Sequence, residues 1–194
     1  MLVGSSIIAV LVYTYLHGGP VNGFNPFDYF GYFTNLTSLL MACVLIASGL
    51  LALSRRSVTA LVTVRAALTA CMVIVGVIYN VLVPGTGSAP AWVSACLHIL
   101  FPTLVLLDWV FGPDRRDLPW SRLWVVVPYP LVWLMVVLLR GVTDGWVPNG
   151  FLLPSRGLGS LAAHVLGLLV ALVAAGALVW WTSRLPKLRG LLPR

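Results

Sequence analysis

The chain has 194 residues, 60% of them hydrophobic and 9% charged, with a formal net charge of +7 and a mean hydropathy of +0.99. A soluble globule of this size needs a charged exterior that this composition cannot supply, so the chain belongs in a bilayer. Acid is confined to Asp28, Asp108, Asp114, Asp117 and Asp144, with no glutamate, which argues against carboxylate cages of the EF-hand kind.

Residues 2–16 read as a first, short span. They lack a basic leading region, and Gly18-Gly19-Pro20 is a poor cleavage context, so the segment is expected to be retained rather than removed as a signal peptide. Further apolar runs lie at about 30–53, 58–83, 91–111, 123–140 and 158–182, close to the roughly 17–25 residues that cross a bilayer. The connections HGGPVNGFNP, SRRS, PGTGSAP, GPDRRDLP and RGVTDGWVPNGFLLPSRG carry turn chemistry. The sequence therefore predicts an all-α, polytopic six-helix transmembrane bundle forming a single domain over 1–194. Cys43, Cys71 and Cys96 fall in apolar runs without CxxC spacing and read as small hydrophobes; neither metal nor cofactor is expected.

Basic residues orient the bundle. Arg55 and Arg56 lie in the second connection, Arg115, Arg116 and Arg122 in the fourth, and Arg184, Lys187, Arg189 and Arg194 in the tail, nine on one side. Only Arg140 and Arg156 fall on the other side, while Arg65 lies within the third span near its cytoplasmic end. The expectation is a multi-pass cell-membrane protein, N-in and C-in. Trp92, Trp120, Trp124, Trp146, Trp180 and Trp181 sit near span ends, as aromatic belts do. The positive charge thus belongs to topology, which argues against nucleic acid as a partner.

This orientation assigns depths to the polar residues. Thr34 lies about one turn into span 2, and His98 and His164 about two turns into spans 4 and 6. Tyr79 and Asn80 are near the outer end of span 3, and Arg140 with Asp144 marks the outer end of span 5. Thr34, Thr37 and Ser38 share one helix face, with Asn35 turned about 100° away; back-bonding to their own helix is the plain alternative. In HILFP, Pro102 leaves the carbonyl of His98 without its helical donor, which predicts a kink and a partner or water for that oxygen; for the imidazole itself, a structural hydrogen bond to Asn80 or a tyrosine is the plain alternative to a functional role. Pro128 and Pro130, flanking Tyr129, predict an irregular span 5 that walls a cavity. Asp108 and Arg65 are expected to pair as a register-fixing ion pair, with a proton relay through Asp108 as the alternative.

A hydroxyl and a neutral imidazole at one depth supply a nucleophile and its general base. The candidate catalytic pair is Thr34 and His98. Candidate substrate contacts are Asn35, Thr37, Ser38, Tyr79, Asn80, Pro102, Tyr129, Arg140 and His164, with Asn35, Asn80 and Tyr79 as possible oxyanion donors. A site toward the outer leaflet would draw its substrate from membrane lipids, favouring an amphiphilic acyl ester.

The six-span plan, YFTNLT and HILFP, with NVLVP, LLDWVFGP, YPLVW and the RG…GWVPNGFL stretch, resemble the androgen-induced / androgen-dependent membrane protein family and its bacterial relatives. The likeness covers most of the chain and rests on the order and spacing of short motifs. It implies an intramembrane threonine hydrolase of fatty acid esters of hydroxy fatty acids, with Thr34 and His98 in the positions of the family's threonine and histidine. Residues Asn35-Leu36-Thr37-Ser38 depart from the pattern that usually follows the threonine. Two other classes compete: a bis-histidine haem protein using His98 and His164, and a non-enzymatic lipid-binding or transport protein. A retinal protein is excluded because the single lysine, Lys187, lies in the tail.

Overall fold

The computed structural model describes residues 1–54, 58–85, 89–112 and 115–186. Arg55, Arg56, Asp114, Lys187, Arg189 and Arg194 lie outside the described residues. Within them every regular element is helical: α1 Leu2–Asn22, α2 Pro26–Tyr29, α3 Phe33–Leu53, α4 Thr59–Leu82, α5 Ala91–Ala95, α6 Phe101–Phe111, α7 Pro128–Thr143 and α8 Leu158–Thr182. A π-helical turn, Cys96–Leu100, joins α5 to α6, and a 3-10 segment, Trp120–Val126, leads into α7. Six of the resulting rods are long and apolar enough to cross a membrane: Leu2–Pro20, Phe33–Leu53, Thr59–Leu82, Ala91–Phe111, Trp120–Thr143 and Leu158–Thr182.

α4 is the central helix and packs against α3, α6 and α8, while α1 lies against α3. In lipid no hydrophobic force draws helices together, so close approach depends on small residues and good packing. Ala66, Ala67, Ala70 and Cys71 give α4 that surface, buried with Trp109 of α6 and Val179 and Trp180 of α8. A second core joins Ile7 and Leu11 of α1, Met41 and Ala42 of α3, Met72 of α4, and Val93, Leu97 and Phe101 of the fourth span. Leucines and valines on the outer faces of α7 and α8, Val132 and Val170 among them, stay exposed, as lipid-facing side chains should.

The helix of the first span runs past residue 16 to Asn22, carrying Pro20 within its last turn, and ends at Gly23, whose φ of 81° suits glycine. α2 is a separate single turn. Asn25 caps it, accepting from the Phe27 amide at 3.0 Å, and Pro26 opens it. α3 consequently starts at Phe33 and not near residue 30, which places Thr34 in its first turn rather than one turn deep.

The two proline effects take specific forms. Span 5 is irregular as predicted, its first seven residues being a 3-10 segment. In span 4 the strain is absorbed as the π-helical turn Cys96–Leu100 just before Pro102. Gly76 of α4 sits against that turn: a Cβ there would lie 3.3 Å from the His98 carbonyl oxygen and 3.4 Å from the Pro102 ring. The Arg65–Asp108 pair forms, at 3.2 Å between Nη2 and Oδ2, with Arg65 buried and lying 5.6 Å from the Trp109 ring centroid.

Candidate functional site

Thr34 and His98 meet. The Thr34 hydroxyl oxygen is 3.3 Å from His98 Nε2, bridging the first turn of α3 and the π-helical turn of the fourth span. Thr14, Thr63 and Thr69 return their hydroxyls to carbonyls four residues earlier on their own helices, so the cross-helix aim of Thr34 is not the default for a threonine in this bundle.

The imidazole is held at both ring nitrogens and on one face. Nδ1 lies 2.9 Å from the Ser94 carbonyl oxygen and 3.3 Å from the Ser94 hydroxyl. A carbonyl can only accept, so Nδ1 carries the proton and Nε2 presents its lone pair to Thr34. Ser94 in turn donates its hydroxyl to Tyr79 Oη at 2.7 Å. The Tyr79 ring stacks on the imidazole with centroids 3.5 Å apart and planes 9° from parallel. The carbonyl oxygen that Pro102 leaves without a helical donor accepts from Asn80 Nδ2 at 3.2 Å, and Asn80 also donates to Gly76 O at 2.7 Å. Asn80 therefore steadies His98 through its backbone, Tyr79 does so through its ring, and Pro102 acts through the backbone.

Residues just before Thr34 are fixed from α7. Phe33 packs between Tyr129, at 5.5 Å, and Trp133, at 4.9 Å. Trp133 Nε1 donates to Gly31 O at 2.8 Å. Thr37 and Tyr129 share a 2.8 Å hydrogen bond behind the site. Thr37 and Ser38 are fully buried, and among the described residues the Ser38 hydroxyl has no hydrogen-bond partner. Asn35 donates to Tyr29 O at 2.9 Å. Burial pushes the Tyr29 phenol up to about 12, keeping it a donor to Leu11 O at 2.8 Å.

A cavity of about 1160 Å³ opens between α1, α3 and α4 on one side and α7 and α8 on the other. Thr34, Asn35, Tyr79, Ser94 and His98 line it, together with Tyr29, Tyr32, Trp133 and Trp146. Thr37, Ser38, Asn80, Pro102, Tyr129, Arg140 and His164 lie outside its lining.

At the rim Arg140 bridges α2 and the loop after α7. Its Nη2 pairs with Asp28 at 2.6 Å and with Asp144 at 2.9 Å, and its guanidinium lies 4.2 Å from the Trp146 ring centroid. The Trp146 amide donates to Asp144 at 3.0 Å, and this bond, followed by the Arg140 contact, holds the Asp144 carboxyl below the usual carboxylate range. Arg140 is thus a latch between loops.

His164 belongs elsewhere. It bonds Ser160 O at 2.8 Å, stacks on Phe151 at 5.7 Å and lines a separate groove of about 340 Å³ with Val77, Val81 and Gly167. The two histidines of the haem alternative therefore face different cavities. Among the described residues no group of three or more His, Cys, Asp or Glu side chains is placed to hold a metal ion.

Sequence reasoning missed Ser94 and Asp28. Ser94 is a lone hydroxyl in AWVSACLH, yet it stands four residues before His98, the spacing at which a helix brings a carbonyl and a side chain together. No family model, curated protein or solved structure matches the chain.

Proposed function

We propose that the protein is an intramembrane threonine hydrolase that cleaves acyl esters of membrane lipids. The observation that carries this is the Thr34–His98 contact at 3.3 Å inside a large, mostly apolar cavity, with Nδ1 anchored so that Nε2 is the basic nitrogen. A contact of this length is within the looser range that nucleophile–base pairs show before substrate binds.

In the first step the Thr34 Oγ1 attacks the ester carbonyl carbon while His98 Nε2 takes the hydroxyl proton. The carbonyl oxygen becomes an oxyanion. With Asn35 and Asn80 already donating to protein carbonyls, the donors that fit are the first-turn amides of α3. They have no intrahelical acceptor, and Tyr32 supplies no side-chain cap. Collapse breaks the ester C–O bond, and His98 returns the proton to the departing alcohol. An acyl-Thr34 ester remains. Water then attacks it with His98 again as base, releasing a carboxylic acid and restoring the threonine. Ser94 O replaces the carboxylate that orients the histidine in many hydrolases, so the imidazolium is positioned but less strongly stabilised.

The substrate class that the family resemblance implies, fatty acid esters of hydroxy fatty acids, fits a cavity that is polar toward its loop end and apolar within the bundle. The distribution of arginines and the lysine supports a cell-membrane orientation with the cavity toward the outer leaflet. The test is hydrolysis of a lipid acyl ester by purified protein in vesicles, comparing wild type with Thr34→Ser, Thr34→Ala and His98→Ala. Turnover in wild type, partly kept in Thr34→Ser and lost in the alanine variants, is expected. Turnover that survives Thr34→Ala rules the nucleophile out.

A further inference from the structure

Among the described residues the cavity lining comes to the surface in two places. One opening is at the loop end, where the lining residues His17, Gly23, Asn25 and Gly150 are exposed. The other lies between α7 and α8, which are not among the closely packed helix pairs of the bundle. Leu131 of α7 and Leu169 of α8 line the cavity, while the next residue on each helix, Val132 and Val170, lies outside the lining and is 60% and 68% exposed.

The depth of the second opening decides what can use it. Leu131 lies twelve residues from Thr143, the end of its span, and Leu169 eleven residues from Leu158, about 18 and 16 Å at ~1.5 Å per residue. Half the thickness of a ~30 Å hydrocarbon core is about 15 Å. The gap therefore faces the middle of the bilayer, where neither water nor a headgroup resides but acyl chains do. Its walls agree: Val127, Leu134, Val165, Leu168 and Leu172 add no polar side chain.

The gap is built into the fold. α8 meets the fifth span at one end through Gly176, where a Cβ would already touch Val126 at 3.0 Å and Leu123 at 3.1 Å. At the other end Val137, Phe151 and Leu152 form a small buried cluster against α8. Between these two joints the helices leave the slot.

We propose that the slot between α7 and α8 is an acyl-chain site, through which a chain of a membrane lipid passes sideways from the bilayer into the cavity. Counted from the same end, His98 lies seven residues into its span, about 7 Å shallower than Leu131 along the helix axes. A chain seated in the slot thus places its ester end toward the catalytic pair and its alcohol toward the polar loop-end opening. The substrate is an ester whose acyl part is long. The chemical half of this inference rests on the hydrolase reading, whereas the binding half does not.

Two experiments separate those halves. In vesicles containing a diazirine-bearing fatty acid, photolysis should place adducts on the α7 and α8 peptides that hold Leu131 and Leu169. Leu131→Trp/Leu169→Trp should reduce them at least fivefold, while Val132→Trp/Val170→Trp, at lipid-facing positions outside the lining, should not. Adducts spread evenly over all six spans, or reduced equally by both pairs, would overturn the slot. With esters of the same alcohol carrying long or acetyl chains, the slot-filling pair should lower the long-to-acetyl ratio of kcat/KM at least tenfold. An unchanged ratio overturns the chain-length role. Absence of turnover on every ester defeats the hydrolase reading, and the photolabelling pattern still decides the slot.

Discussion

The two ends of the bundle are built in opposite ways. At one end, where α6, α8 and the 3-10 segment meet, the interior is filled: Trp109 and Trp180 are fully buried. Trp109 Nε1 donates to Val179 O and Thr182 Oγ1, both at 3.2 Å, and Trp180 Nε1 donates to Pro119 O at 3.1 Å. Arg115 donates to the carbonyls of Val110 and Leu185, and Ser183 Oγ accepts from the Leu118 amide. At the other end the aromatic rings stand around a cavity of about 1160 Å³. In the closed end polar groups are spent on carbonyls that helix ends and loops leave unpaired, which makes a seal. In the open end Asn35 and Trp133 are likewise spent on carbonyls, but Thr34, His98, Ser94 and Tyr79 form a chain of side chains along the cavity wall. Function should therefore concentrate at one end and stability at the other.

The largest expected effect that tests this division is on activity. Thr34→Ala and His98→Ala should each lower lipid-ester turnover by about a thousandfold or more, with thermal unfolding in detergent almost unmoved because neither side chain fills the core. Next comes Trp109→Ala at the closed end. Emptying so large a buried site should cost about 3–5 kcal/mol, read as a lower unfolding midpoint, while KM of the surviving folded protein stays the same. A comparable activity loss from Trp109→Ala without destabilisation would erase the distinction between the ends.

A smaller effect should come from the backing of His98. Gly76→Val pushes on the His98 carbonyl and Pro102, and Asn80→Leu removes the amide that satisfies that carbonyl. Each should lower kcat about tenfold with KM nearly constant, since a misplaced base impairs the chemical step more than binding. The smallest concerns the rim. Asp144 has a lowered folded-state pKa, so its contribution is present above the ordinary carboxylate value and is lost as pH falls through the folded one. Acid titration of the unfolding midpoint should be less steep below about pH 4 in Asp144→Asn than in wild type.

Much of this was legible in the sequence, for reasons that differ by residue. The spans follow from hydropathy, since a bilayer admits few alternatives to apolar helices. Thr34 and His98 could be paired because depth is readable along a helix. Azimuth is not, which is why His164, at the same depth as His98, turns out to serve another groove. Pro102 announced a disturbed helix and an orphaned carbonyl. That the disturbance becomes a π-helical turn depends on how closely α4 approaches at Gly76, a tertiary fact. The Arg140–Asp28 latch joins residues 112 apart in the chain, and no local pattern signals it. The short helix α2 was hidden in a connection whose Asn25-Pro26 pair is a helix-start signal easily read as a turn.

If the Thr34 hydroxyl is a nucleophile activated by His98, a lipophilic fluorophosphonate added to the protein in vesicles will mark it, and peptide mass spectrometry will locate the adduct. A phosphonyl group on Thr34 is expected, absent in Thr34→Ala and strongly slowed in His98→Ala. An adduct on any other residue, or labelling equally fast without His98, would contradict it.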